Sequence, residues 1–513
     1  MKKTRIYLIA FILISLFTKT HAQEKADSLY SNILKEKRFI QVFLPSGYKP
    51  GAKYDVLYVL DGEMLSGLVT PVRSIEEDNE QIPPLIIIGI KNIYWFDKGT
   101  DSRDRDLLPR HVDGSPLSGG ADRFLSFLKT ELMPYINNKY STSGKNILFG
   151  HSYGGMFTMY TLLTQPDLFD SYIASDPALW WNDGYVDKLA ATSFANFPKS
   201  NKTLFMGGRS GEIHEAFGGK AMDSLLKIKA PENLRWQSMV YPNEHHGSVK
   251  LKDFYDGLKF TYFGYSSFMV DFFPMDGILL KDKPVPILLY STYLEFNPGI
   301  RYTTDGTEPT PQSPRYEYGT RVSAPSVFTL KQFSNYGPDK IAKGHFSLGN
   351  VLPPVKKPSG IDTIGFHYAY YESDSTHMPS FKSLKPVKQG QMDNNYNLNS
   401  FGHKAPFACA VDGYLEIERD GYYTFFLEAD YMAKLFLGDQ LIIDIDQSHN
   451  TIGSKSFVLP LAKGFYPIRM EYLHKSGDRD FSLTYIPPPA PGSERLAHVP
   501  INIPLRVQYA KAK

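Results

Sequence analysis

Between residues 38 and 241 the chain alternates short apolar runs with longer amphipathic ones. RFIQVFL, YDVLYVL, PLIIIGI, KNILF, DSYIAS, KTLFMG and WQSMVY are rich in β-branched and aromatic residues, as strands of a largely buried sheet are. Between them, residues 121–140 and 155–165 carry apolar positions at helical spacing. Strands alternating with helices predict a mostly parallel sheet with flanking helices. After FYDGLKFTYFGY (254–265) the helical period fades while Tyr, Pro, Gly and Thr become frequent, so the remainder is expected to be all β. GNVLPPVKKPSGID (349–362) has the composition of an exposed linker and divides that remainder. The expected units are 23–265, 266–354 and 355–490, followed by an extended tail, 491–513.

Composition narrows the function classes. In 513 residues, 56 Lys and Arg against 54 Asp and Glu leave a formal charge of +2 with no long run of one sign, which argues against a nucleic-acid partner. The first residues, MKKTRIYLIAFILISLFTKTHAQEK, place Lys2, Lys3 and Arg5 before an apolar stretch that ends near Ala22, the pattern of a secretory signal peptide. Its apolar run is shorter than the roughly 20 residues needed to span a bilayer, and no later segment reaches that length. A periplasmic or secreted mature chain without a membrane span is expected. The single cysteine, Cys409, excludes an intramolecular disulfide and a multi-cysteine metal site, and its setting in PFACAV is that of a small buried hydrophobe.

Candidate chemistry centres on ILFGHSYGGMF (147–157). Gly150, Ser152 and Gly154 form G-x-S-x-G, with a predicted strand before and a predicted helix after, the setting of a nucleophile elbow. Side chains at the two glycines are expected to collide with neighbouring backbone where Ser152 takes an unusual φ/ψ. A serine hydroxyl needs a base, and in this arrangement the order along the chain is Ser, acid, His. PNEHHGS supplies His246, with His245 as the alternative; the stretch after KTLFMG supplies Glu212 as the preferred acid, with Glu215 and Asp223 as alternatives. Backbone N–H groups for an oxyanion are expected from Tyr153 and from Gly62 or Glu63 in YVLDGE. No cofactor or metal is needed for this chemistry.

VLYVLDGE, RDRDLLPR, GHSYGG, DPALWW and EHHGSV together resemble, in order, an esterase family of α/β-hydrolases that includes ferric-enterobactin, feruloyl and acetyl-xylan esterases, over about residues 36–262. The resemblance implies cofactor-free ester hydrolysis, with Ser152 and His246 at the nucleophile and base positions. Arg103 and Arg105, Trp180 and Trp181, and His151 are candidate substrate contacts. Residues 298–334, around YTTDGTEPT, are similar to the small C-terminal β domain of chitobiases and hexosaminidases. Residues 362–487 resemble a PA14 β-sandwich through Gly421, Tyr422, Phe425, Leu435, Gly438 and Asp444. Sugar-binding PA14 members hold calcium on adjacent aspartates; here Asp430 is followed by Tyr431, a departure from that pattern. These modules in a secreted chain favour removal of acetyl or feruloyl groups from glycans, with a possible glycan contact by the PA14-like region. Siderophore trilactone cleavage is the enzymatic alternative, and non-catalytic glycan binding the alternative of another class.

Overall fold

The computed structural model describes residues 24–95, 100–266, 270–290, 294, 297–336, 339–392, 406–446, 453–475, 481–489, 503–504 and 507–510. The expected signal peptide lies outside them. Among the described residues no helix is long and apolar enough to cross a membrane. The chain forms two compact units, one of Met1–Ser267 with Ser334–Gly337 and one of Phe268–Phe333 with Pro338–Lys513.

The first unit is built on an eight-stranded sheet. Its strands are β1 (Glu24–Ser31), β2 (Glu36–Phe43), β3 (Tyr54–Val59), β4 (Leu85–Ile90), β5 (Thr142–His151), β6 (Ser171–Ser175), β7 (Lys202–Arg209) and β8 (Leu234–Tyr241). They lie in the order β1-β2-β4-β3-β5-β6-β7-β8. The six strands from β4 across to β8 are parallel, while β1 and β2 join antiparallel at one edge. The apolar runs are buried on both faces, so alternate residues enter different cores. Val56 and Tyr58 join Ile86, Ile88 and Leu148 on one face; Leu57 and Val59 join Ile87, Ile147 and Phe149 on the other. Helix α2 (Tyr153–Thr164) covers the first face through Met156 and Phe157. Helices α1 (Gly62–Asp78) and α3 (Val249–Thr261) cover the second through Leu65, Val69, Phe254 and Leu258. Each such side chain contributes about 2 kcal/mol relative to its exposed state. Strand β1, EKADSLYS, was absent from the expected set because its polar composition hides an edge strand paired only with β2.

The second unit is all β, as expected, and strands on both sides of residue 355 share a sheet. Asp276–Leu279 pairs in parallel with both Lys340–Leu348 and Gly453–Leu461, so one eight-stranded sheet runs through both expected β domains. Two flanking edges that need partners are each satisfied by one short strand, which a linker-like composition does not reveal. The tail is likewise not simply extended: Ile503–Pro504 pairs with Phe481–Ile486, and Val507–Ala510 pairs with Ile361–Ile364 and with Phe407–Ile417. In the turn expected at Asp305–Gly306, Gly306 has φ 83° and Asp305 Oδ1 accepts from the Thr307 N–H at 3.0 Å. Cys409 is fully buried, which pushes its thiol up to about 12.

Candidate active site

Ser152 is the one residue between the end of β5 and the start of α2. It has φ 61° and ψ −116°, a conformation that costs about 1–3 kcal/mol and persists only where the surroundings hold it. They do so through its backbone: its N–H donates to Ser175 O at 3.0 Å, and its carbonyl accepts from the Ala178 N–H at 3.1 Å. A Cβ on Gly150 would come within 2.2 Å of Gly154 O. The second steric requirement differs from the expected one. At Gly154 the nearest atom is 3.4 Å away, an ordinary contact, whereas at Gly155 a Cβ would meet Ser175 O at 2.7 Å.

Of the two adjacent histidines, His246 is the one brought to the elbow. Its ring lies 4.5 Å, centroid to centroid, from that of His151, the residue before Ser152. His245 instead uses Nδ1 to accept from the Gly247 N–H at 3.1 Å. The carboxylate facing His246 is not Glu212. Asp176 Oδ2 lies 2.7 Å from His246 Nδ1 and also accepts from Arg209 Nε at 2.6 Å. Burial would raise the Asp176 pKa, but His246 and Arg209 outweigh it and hold the carboxyl below its ordinary range. Glu212 is exposed at the start of a short helix, Glu212–Ala216; Glu215 pairs with Lys220 at 2.9 Å, and Asp223 with Lys227 at 2.6 Å.

The difference has a topological cause: the acid was expected after β7, but the carboxylate that meets His246, Asp176, directly follows β6, which neighbours β5, the strand ending just before Ser152. A usable signal was the aspartate opening DPALWW just past the apolar run SYIAS. Among the described residues, Ser152 Oγ has no hydrogen-bond partner, so its bond to His246 is not formed in this state. Such bonds often tighten only when substrate binds.

The expected backbone donors sit at two helix starts. Gly62 and Glu63 open α1 and Tyr153 opens α2, where the first N–H groups lack intrahelical partners. Gly62 is demanded by close packing, since a Cβ there would lie 2.5 Å from the Gly89 carbonyl carbon; the positive φ belongs to Asp61, at 50°. The Glu63 side chain faces away from this task and accepts from the Asn92 N–H and Nδ2. Arg103 fastens the two starts together. It donates to both Asp61 oxygens at 2.9 Å and to His151 O at 3.3 Å, with its guanidinium 5.3 Å from the Tyr153 ring.

Arg105 does not line the site. It is held by Glu36 at 2.5 Å and Asp106 at 2.7 Å, within a buried network that includes Arg38. The two tryptophans also separate. Trp181 is 4% exposed and packs edge-on against Tyr185, whereas Trp180 is 49% exposed and faces Phe217, whose ring lies 5.6 Å from His246. In the second unit, Asp430 is taken up by the Tyr472 hydroxyl and by His474 Nδ1, the latter at 2.5 Å.

A sequence model of the family described as "Putative esterase" matches residues 31–231, and the PA14 domain model matches residues 365–495. The first match takes in Ser152 and Asp176 and stops short of His246. Ferri-bacillibactin esterase of Bacillus subtilis is 29% identical over 236 residues, 42% of this chain and 81% of that protein. The siderophore enterobactin esterase of Emericella nidulans is 33% identical over 153 residues, 27% of this chain and 50% of that protein, so the chain spans only half of this relative. A solved IroE-like serine hydrolase from Shewanella oneidensis is 32% identical with a TM-score of 0.42, over 47% of this chain and 80% of its own. Residues 31–231 thus match this esterase family and residues 365–495 a PA14 domain, in a serine ester hydrolase whose α/β unit is followed by β-rich regions.

Proposed function

We propose that this serine ester hydrolase acts on siderophore esters, through Ser152 as nucleophile, His246 as base and Asp176 as the carboxylate that orients it. The observation that carries the mechanism is the His246–Asp176 pair beside a serine on a strained turn. Asp176 would fix the imidazole with its proton on Nδ1, leaving Nε2 to take the Ser152 proton as Oγ attacks the ester carbonyl. The oxyanion that forms would be met by the Tyr153 N–H and by Gly62 or Glu63, donors already placed before reaction. Protonation of the leaving alcohol by His246 gives an acyl-enzyme, which water resolves by the reverse sequence.

The substrate class is supported by the siderophore esterases among the relatives and by the aromatic wall of exposed Trp180 and Phe217 next to His246. Glycan deacylation, the first expectation, has less behind it. The oxygens of Asp430 are already bonded to Tyr472 and His474, which leaves them poorly placed to serve a calcium-dependent sugar contact. Hydrolysis of a catecholate trilactone, a hydroxamate siderophore ester and acetylated xylan should be compared for the intact chain and its Ser152→Ala variant. Expected is siderophore turnover that falls by about a million-fold in kcat in the variant. Serine-dependent xylan deacetylation without siderophore turnover would overturn the substrate assignment.

A further inference from the structure

At the edge of the first unit's sheet opposite Ser152 lies a cavity of about 490 Å³, within the size range of small-ligand sites. The starts of four parallel strands open onto it, through Asp55 of β3, Ser171 of β6, Lys202 of β7 and Arg235 of β8. Ser152 follows the other end of β5, so this cavity and the proposed esterase site occupy different edges of the sheet. All of its lining residues belong to the first unit.

Much of the polar lining is already bonded within the protein. Both Asp55 oxygens accept from hydroxyls, of Ser143 at 2.5 Å and Tyr262 at 2.9 Å. The Asn233 amide donates to Pro198 O and Ser200 O, and the Asn335 amide to Phe260 O. Asp170 Oδ2 accepts from the Asn146 N–H at 2.9 Å. A smaller set has no such commitment. The Lys202 side chain is only 5% exposed, yet its ammonium makes no hydrogen bond among the described residues; the nearest carboxylate oxygens, on Asp167 and Asp170, stand 3.7 and 4.0 Å away. Lys145 lies over the Tyr336 ring at 4.1 Å and makes no salt bridge among the described residues. The exposed side chains of Asn201 and Glu232 have no partner among the described residues either.

An ammonium largely withdrawn from water and lacking an acceptor is costly, and a ligand anion supplies what it lacks. A bare anion would also meet Asp170 and Glu232, which repel it. A hydroxylated anion avoids that conflict, because its hydroxyls donate to those carboxylates while its charge meets the lysines. We infer that this cavity binds a small hydroxylated carboxylic acid of sugar-acid type, its carboxylate held by Lys202 and Lys145 and its hydroxyls by Asn201, Glu232 and Asp170 Oδ1. The site takes no part in ester cleavage at Ser152 and is separate from any glycan contact of the PA14 domain.

The test is calorimetric titration of the full chain with glucuronate, glucose and inorganic phosphate. Glucuronate should bind saturably, with glucose and phosphate each about tenfold weaker or more, since glucose lacks the charge and phosphate the array of hydroxyls. Lys202→Met should weaken glucuronate by about tenfold, the worth of one charge-assisted hydrogen bond, and leave ester turnover unchanged. Because a buried lysine also bears on folding, Asn201→Asp is the second variant: at an exposed position it sets another carboxylate against the anion, and it should weaken glucuronate more than glucose. No saturable glucuronate binding would overturn the proposal, as would glucose or phosphate binding as tightly as glucuronate. So would glucuronate binding that neither variant changes, because the acid would then be held elsewhere on the chain.

Discussion

Each unit of this protein contains an aspartate within hydrogen-bond distance of a histidine Nδ1: Asp176 with His246 at 2.7 Å, and Asp430 with His474 at 2.5 Å. The second pair is closed in. His474 is 1% exposed, and the Tyr472 hydroxyl occupies the remaining space on Asp430. The first pair is open on one side, with the His246 side chain 40% exposed and its ring tilted against that of the residue that precedes Ser152. The same contact is therefore a core polar network in one unit and a candidate base in the other. What separates them is access and the nearby strained turn that carries Ser152.

Removing one carboxylate from each pair gives the widest separation. Asp176→Asn should lower kcat by about ten-thousand-fold, because an amide favours the wrong imidazole tautomer, while the protein stays folded. Asp430→Asn should leave turnover intact. The first variant also has a pH signature. The folded-state pKa of Asp176 is depressed, so its ionised form stabilises the fold above the ordinary 3.8 and that contribution disappears as pH falls through the lowered value. The stability gap between wild type and Asp176→Asn should accordingly narrow in acid, as urea unfolding at several pH values would reveal. Equal losses of activity in the two variants would erase the distinction between the pairs.

A smaller effect tests how the site is held. Arg103→Ala removes the bidentate clasp on Asp61 and the bond to His151 O, freeing both helix starts that carry the proposed oxyanion donors. The expected cost is roughly a hundredfold in kcat, comparable to losing one such donor, with little change in KM. A rise in KM alone would instead make Arg103 a substrate contact. In the closed pair, Asp430→Asn should cost about 2 kcal/mol of stability, since a buried network loses its charge-assisted bonds. Chemical unfolding followed through the tryptophans and tyrosines separately would assign that loss to a unit.

The sheet of the first unit was legible because strands buried on both faces must be continuously apolar, and the elbow because Gly150 and Ser152 carry backbone demands that few other sequences meet. Asp176 was not legible in the same way. Its place beside His246 follows from β6 lying beside β5, a fact of strand order that periodicity does not contain. Arg103 and Arg105 are alike in sequence and divide only when Asp61 and Glu36 are seen to take one each. In the second unit, composition identified β structure but missed the shared sheet, because Asp276–Leu279 is only four residues long and joins strands far apart in the chain.

The smallest predicted effect returns to the open side of the first pair. Trp180 and Trp181 are adjacent, and nothing in their chemistry distinguishes them; burial does. Trp180 adds aromatic surface to the wall formed with Phe217 beside His246 but contributes little to the core, so Trp180→Ala should raise KM for an aryl siderophore ester by about tenfold and leave the melting temperature nearly unchanged. A small aryl acetate, too short to reach that wall, should show a much weaker effect. If both substrates lost affinity equally, the wall would be shaping the ester site itself. If neither did, access at His246 would be set by some other surface, and the openness that distinguishes this pair from Asp430 and His474 would serve entry of water and ester alone.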